Sequence, residues 1–278
     1  MAITAAAVKA FREKTGLPMM DCKRALTEAD GDEDAAMEIL RKKGLAKMTE
    51  KIAERTTEEG VIAIASENGS TGMVELLCES APVASNADFL QLAEDIAKVV
   101  AMNPLFDTVE SLMEKEAPSK PGQTLQAVLE ELFNRIREVF RVRRFLKVDG
   151  KVAQYLHHDR KTAVLLPLED GDEALGRDIC MHIAAMQPHG LNADDIDPAI
   201  LENERRIQLE MMNADPKNAN KPEEIKHKII DGKMGAFVAQ QCLVSQPFVK
   251  DSDVTVGQYA EKNGLKMKKF IHWKLGRD

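Results

Sequence analysis

A chain of 278 residues with 44% hydrophobic and 30% charged positions has the length for two domains or three small ones, and a globular composition. Aromatic residues make up only 4%, so its cores are filled by Leu, Ile, Val, Met and Ala, a palette that leans towards helices. A net charge of -8 withholds the basic footprint that general nucleic-acid or anionic-membrane binding needs, and no apolar run approaches the roughly 18 to 20 residues of a membrane span.

The N-terminal stretch mixes charge into its apolar positions from Lys9 onward and reads as neither a signal peptide nor an anchor. Cys22, Cys78, Cys180 and Cys242 are far apart and form no CxxC, which points to reduced thiols and a cytoplasmic location. Residues 4 to 43 predict three short helices. Thr4 caps the first, Thr15-Gly16-Leu17-Pro18 breaks it, the second runs from about Met19 or Asp21 to Ala29, and the third starts after Gly31-Asp32 and ends near Gly44. Val8, Phe11, Cys22, Leu26, Ala36, Ile39 and Leu40 fill the interior, leaving Arg12 and at least one of Met19 and Met20 for an outer surface. Residues 45–59 are charged, show little apolar periodicity, and read as a partly helical linker.

An internal repeat follows. Two strands around Glu67-Asn-Gly-Ser form a predicted hairpin, followed by a helix from about Asp88 to Met102 that stops at Asn103-Pro104. Two strands around His158-Asp-Arg-Lys form a second, followed by a helix from about Asp172 to Met186 that stops at Gln187-Pro188. Aligning both ends of the copies leaves the first with seven additional residues between hairpin and helix, in Glu79-Ser-Ala-Pro-Val-Ala-Ser-Asn-Ala. A loop lengthened in one copy of a scaffold is a place for a specialised role. Each copy also gains a late strand, at Val139 to Val148 and at Phe270 to Leu275. The first alternates Phe140, Val142, Leu146 and Val148 against Arg141, Arg143 and Lys147, which sets Phe140 and Phe145 on opposite faces. The expectation is α+β, with two related three-stranded antiparallel sheets covered by helices.

Two further helices, over 198–213 and 223–243, are joined by a polar, Pro-bounded turn and form an antiparallel coiled-coil hairpin inserted at 198–243. Their apolar stripe is read as Ile200, Ile207, Leu209 and Met211 against Ile225, Ile229, Ile230, Met234, Phe237 and Val238.

No phosphate loop, dinucleotide fingerprint, zinc motif or nucleophile elbow occurs, so the expectation is no enzyme, no catalytic residue, no cofactor and no metal. A metal-dependent enzyme on His157, His158, Cys180 and His182 is the weakest reading, because Cys180 and His182, at i and i+2 on a helix, do not face each other. His182 is otherwise a polar tip on an apolar helix, suited to a satisfied semi-buried position or to an interface. The cations from Arg135 to Lys147 meet a first repeat that holds eight acids and no Lys or Arg between Arg55 and Lys98, so internal neutralisation is expected rather than an RNA stripe.

These segments resemble a known family. Thr4 to Leu26, with Val8-Lys9, Arg12, Thr15-Gly16 and Met19-Met20-Asp21-Cys22-Lys23-Arg24-Ala25-Leu26, is similar to the opening domain of bacterial elongation factor Ts, the nucleotide-exchange factors of the translational GTPase EF-Tu. The similarity continues through Gly60-Val61, Val74-Glu75-Leu76, Met181-His182-Ile183-Ala184-Ala185, Gln246-Pro247-Phe248-Val249-Lys250-Asp251, Thr255-Val256-Gly257-Gln258 and Phe270-Ile271, nearly the whole chain. It implies a ubiquitin-associated-like three-helix domain at 1–44, a linker at 45–59, a core N subdomain at 60–149 and a core C subdomain at 150–278 carrying the hairpin.

The same resemblance implies that Arg12, Met19 and Met20 contact the GTPase's nucleotide domain and that His182 reaches its last domain. The family's exchange element, Thr-Asp-Phe-Val after Cys-Glu or Cys-Gln, falls here on Glu79-Ser80-Ala81-Pro82-Val83, with Ala81 and Pro82 in place of the Asp and Phe. Either this loop acts through its backbone, or the nearby Asp88-Phe89 substitutes, or exchange is slower. An exchange factor that releases GDP by disturbing the magnesium and phosphate site is the leading expectation. A GTPase-binding module or chaperone of EF-Tu with weakened exchange is the alternative. No direct nucleic-acid or membrane partner is expected, while a homodimer and a heterotetramer with EF-Tu both stay open.

Overall fold

The computed structural model describes residues 3–104, 106–215 and 221–277, which form two units. Unit 1 holds the chain through Asp149, the turn His158–Lys161 and the segment from Lys274; unit 2 holds Gly150–His157 and Thr162–Trp273. Both mix helices with small antiparallel sheets, an α+β protein.

Unit 1 opens with α1 (Ala5–Thr15), α2 (Met19–Glu28) and α3 (Glu33–Glu54). The Thr4 hydroxyl accepts from Ala7 N at 3.2 Å, Gly16 ends α1 in the left-handed region at φ 66°, and Asp32 accepts from Asp34 and Ala35 N. Val8, Phe11, Cys22, Leu26, Ala36 and Leu40 form their common core. The expected stop at Gly44 is not there: α3 runs on to Glu54. Gly44 instead serves close approach, since a Cβ built on it would lie 1.9 Å from Asn134 Oδ1. The side chains of residues 45–54, and most of the turn expected at 215–222, lie outside the described residues.

β1 (Glu59–Glu67) and β2 (Ser70–Cys78) pair antiparallel across a two-residue loop. Asn68 and Gly69, at φ 51° and 77°, supply the two positive φ values of a hairpin turn matched to strand twist. After them come α4 (Ala81–Ala84), α5 (Ala87–Met102), α6 (Val109–Met113), α7 (Leu125–Ile136) and β3 (Arg141–Asp149). The sheet order is β1-β2-β3, and Phe89, Leu92, Ile96, Leu129, Phe133 and Phe140 belong to the core it shares with the helices.

β3 departs from the expected alternation. Glu75 faces Arg144 and Leu76 faces Val142, so Arg143 is the extra residue of a bulge. The bulge lets consecutive Arg143 and Arg144 reach one carboxylate, that of Glu75, at 3.3 and 2.5 Å. It also returns Phe145 to the same core as Phe140, where strict alternation had separated them. Glu75 is fully buried, and Gly276 N, 201 positions further on, donates to its Oε1 at 2.7 Å. Internal neutralisation extends to Arg135 with Asp88, Arg137 with Asp21 and Lys147 with Asp149.

Unit 2 comprises β4 (Val152–Leu156), β5 (Thr162–Asp170), α8 (Glu173–Met186), α9 (Pro198–Ala214), α10 (Glu223–Gln241), β6 (Pro247–Phe248), β7 (Asp251–Thr255), α11 (Val256–Lys262), β8 (Lys266–Met267) and β9 (Ile271–Lys274). Its sheet has four strands rather than the expected three. β5 pairs with β4, with β8 and with β9: β9 is the anticipated late strand, and β8 is an additional short strand before it. Ile179, Cys180 and Ile183 of α8 pack with Val164, Leu166 and Phe248. The α9–α10 hairpin buries Met212, Ile230 and Met234, with Leu201 and Phe237 against them. Leu209, Met211 and Ile225 of the expected stripe are exposed instead. Leu201 and Met212 are 11 residues apart, close to three turns, a spacing that Leu209 and Met211 do not keep.

Candidate functional site

In α1 and α2 the core takes Val8 and Phe11 on one helix and Cys22, Ala25 and Leu26 on the other. This leaves Arg12 exposed, and Met19 and Met20 are 43% and 61% exposed. The sequence required at least one outward thioether; the structure presents two, and Met37 of α3 is exposed to a similar degree. Flexible, polarisable side chains held open to solvent suit contact with an adaptable protein surface.

The lengthened loop folds into a single turn. β2 delivers the chain to Glu79 and Ser80, and α4 follows with Ala81 and Pro82 exposed and Val83 half-buried. Glu79 and Ser80 are tied down. The Glu79 carboxylate accepts from Arg55 Nη1 at 2.8 and 3.2 Å and from Val139 N at 2.8 Å. Glu138 accepts from Ser80 N at 3.1 Å and Ser80 Oγ at 2.6 Å. Glu79, implied as a partner contact, is therefore spent on internal bonds, and the surface offered outward is Ala81 and Pro82. Cys78 beneath them donates to Ser80 O, and burial, aided by the charge of Glu138, pushes its thiol up to about 12. It is no nucleophile.

Of the two alternative residues, Asp88 is exposed and Phe89 is not. Phe89 is fully buried, its ring centroid 5.4 Å from that of Phe140, and Asp88 pairs with Arg135. The expectation that Phe89 replaces the missing aromatic is corrected: the first turn of α5, capped by Asn86, aims Phe89 into the core.

His182 takes the satisfied, buried one of its two expected positions. It is fully buried in unit 2, not an outward tip. Its Nδ1 accepts from Val249 N at 3.2 Å and its Nε2 donates to Gln246 Oε1 at 2.8 Å, while Gln246 Nε2 donates to Gln240 O. These bonds require the neutral ring. What the imidazole holds is the segment 246–250, on which Val249 is 55% exposed. Burial lowers the His182 pKa, partly opposed by the bond to Gln246. A histidine depressed below its ordinary 6.5 contributes its full stability above that value, and the contribution is lost as pH falls through 6.5 towards the folded-state value. Urea unfolding of unit 2 between about pH 7.5 and about pH 5 should thus show a loss of stability that is shallower in His182→Gln. Equal slopes would reject this.

The other suggested constellation is dispersed. His157 Nδ1 bonds the Tyr155 hydroxyl at 2.7 Å, and Cys180 donates to Ala153 O. Among the described residues no three His, Cys, Asp or Glu side chains are grouped to hold a metal ion, and no helix is long and apolar enough to cross a membrane. Sequence reading gave Arg55, Glu138, Gln246 and Val249 no individual role at the site. Their signal lies in pairings 24 to 67 positions apart, which no local pattern carries.

The family model described as Elongation factor TS matches residues 82–277. An elongation factor Ts from Alkalilimnicola ehrlichii is 42% identical, the alignment covering 99% of this chain and 93% of that protein. Those from Azoarcus sp. (strain BH72) and Ruegeria sp. (strain TM1040) are 41% and 40% identical over 99% of this chain and 91% and 93% of theirs.

Proposed function

This chain belongs to the elongation factor Ts family and is a translation elongation factor, and we propose that it acts as the guanine nucleotide exchange factor of EF-Tu. In this reading it binds EF-Tu·GDP in the cytoplasm, disturbs the magnesium and phosphate site, and leaves when GTP rebinds. It catalyses no covalent step. To drive exchange it must bind the nucleotide-free GTPase more tightly than the loaded one.

The supporting observation is the pinned turn: the one loop that distinguishes the first repeat from the second is anchored at Glu79 and Ser80 and presents Ala81 and Pro82 outward. Arg12, Met19 and Met20 form the proposed second contact. His182 contributes through the segment it holds, with Val249 as the exposed group.

A weaker exchanger, acting mainly as a binding module or chaperone of EF-Tu, is the second reading. What favours it is Ala81-Pro82, which offers neither the charge nor the aromatic ring of the family's element. Stopped-flow release of labelled GDP from EF-Tu separates the two. Acceleration over the spontaneous rate supports exchange; tight binding without acceleration supports the second reading. Ala81→Asp with Pro82→Phe is expected to raise the release rate modestly, and no gain would show that this chain uses another route. Arg12→Ala and Met20→Ala should each weaken binding by about 1 to 2 kcal/mol without changing the melt, measured by calorimetry. Unchanged affinity would remove this face from the interface.

A further inference from the structure

We propose that Glu138 is a positioning residue for exchange, holding the α4 turn in its working geometry through a reciprocal clasp with Glu79 and Ser80. The inference rests on the exchange reading of that turn.

Two connections interlock here. One joins β2 to α4 and contains only Glu79 and Ser80; the other joins α7 to β3 at Glu138-Val139-Phe140. Each sends a carboxylate to a backbone N–H of the other. Glu138 takes Ser80 N, and Glu79 takes Val139 N. Val139 and Phe140 are buried, and Phe140 packs on Phe89 of α5, so the clasp ties an exposed turn to the middle of the core. Two carboxylate bonds to fixed N–H groups constrain position and direction together.

Ser80 shows what the clasp displaces. It stands at the N-cap position of α4, where its hydroxyl would ordinarily accept from an N–H of the first turn. It makes no such cap bond and donates to Glu138 Oε1 at 2.6 Å. The turn forgoes local stabilisation for an anchor 58 positions away. In the second repeat the corresponding link between β5 and α8 is Gly171-Asp172, and it holds no such turn. The clasp accompanies the insertion.

A turn that acts by occupying space must be held closely, because small misplacements are costly in rate. The test compares the full-length wild type, Glu138→Ala, Glu138→Gln and Ser80→Ala in labelled-GDP release from EF-Tu, each titrated to saturation. Glu138→Ala is expected to lower the maximal release rate about tenfold with little change in the half-saturating concentration. Glu138→Gln, whose amide oxygen accepts the Ser80 N–H, should recover most of the rate. Hydrogen exchange at the Ser80 amide should accelerate in Glu138→Ala and return towards wild type in Glu138→Gln. Ser80→Ala, which deletes one hydroxyl, should show the same selective fall in maximal rate even if Glu138→Ala melts. Equal maximal rates for wild type, Glu138→Ala and Ser80→Ala, all above the spontaneous rate, overturn the positioning role alone. A wild type at the spontaneous rate overturns the exchange reading and the positioning role with it.

Discussion

Replacing Glu75 by alanine is expected to cost unit 1 about 3 to 5 kcal/mol, a large part of the stability a domain possesses. The carboxylate is fully buried on β2 and receives Arg144 Nε at 2.5 Å, Arg143 Nη1 at 3.3 Å and Gly276 N at 2.7 Å. Arg144 also donates to the Lys274 and Arg277 carbonyls. Alanine would take from two guanidinium groups, with side chains only 26% and 22% exposed, the buried carboxylate that both reach, and the Gly276 N–H would lose its acceptor. Removing one partner of a buried pair is the expensive event; the net value of an intact buried pair is much smaller. Glu75→Gln, which keeps the shape and one acceptor, should fall between. Urea unfolding followed by hydrogen exchange in β1 to β3 measures both, and a loss below about 1 kcal/mol in Glu75→Ala would show that the cluster is indifferent to this buried acid.

Phe89→Ala should cost a further 3 to 5 kcal/mol or so through a cavity, and it should do this without a selective effect on exchange. Phe89 is in the first turn of α5, five residues beyond α4, and on sequence alone it is a natural substitute for the aromatic that Pro82 replaces. Its ring is closed off by the core and packs on Phe140, so it has no route to a partner surface. Below the variant's melting temperature, saturating GDP release should match the wild type within about twofold. A large fall in maximal release rate with an unchanged melt would restore Phe89 to the interface.

These residues mark how far the sequence could be read. The hairpins, the helices stopped at Asn103-Pro104 and Gln187-Pro188 and the three-helix opening were legible because caps, turn residues and periodicity are local signals. Gly44 was read as a stop because glycine commonly ends helices, whereas here it answers to Asn134, ninety positions on. The bulge at Arg143 was invisible because Phe140, Val142, Leu146 and Val148 keep an even spacing whether or not the strand is regular. His182 was open between a buried and an outward role, and the choice depended on Gln246 and the Val249 N–H. At the candidate site one outward thioether of Met19 and Met20 was legible from two adjacent apolar residues on one small helix, and the exposure of both was not. Its anchor, Glu138, is an ordinary acid until folding brings Ser80 to it.

The bond between Glu75 and Gly276 also sets an order of events during synthesis. The three strands of the first sheet are all made once Asp149 has emerged, yet Glu75 waits for a partner encoded 201 positions after it. At about 5 to 20 residues per second, the interval between Asp149 and Gly276 lasts roughly 6 to 25 s. Through that time the nascent sheet holds its buried acid by Arg143 and Arg144 without the Gly276 N–H, and the bonds that the Lys274 and Arg277 carbonyls accept from Arg144 are still to be made. The earliest sheet to be assembled is thus among the last parts to be sealed, and its slowest step is the arrival of a remote strap.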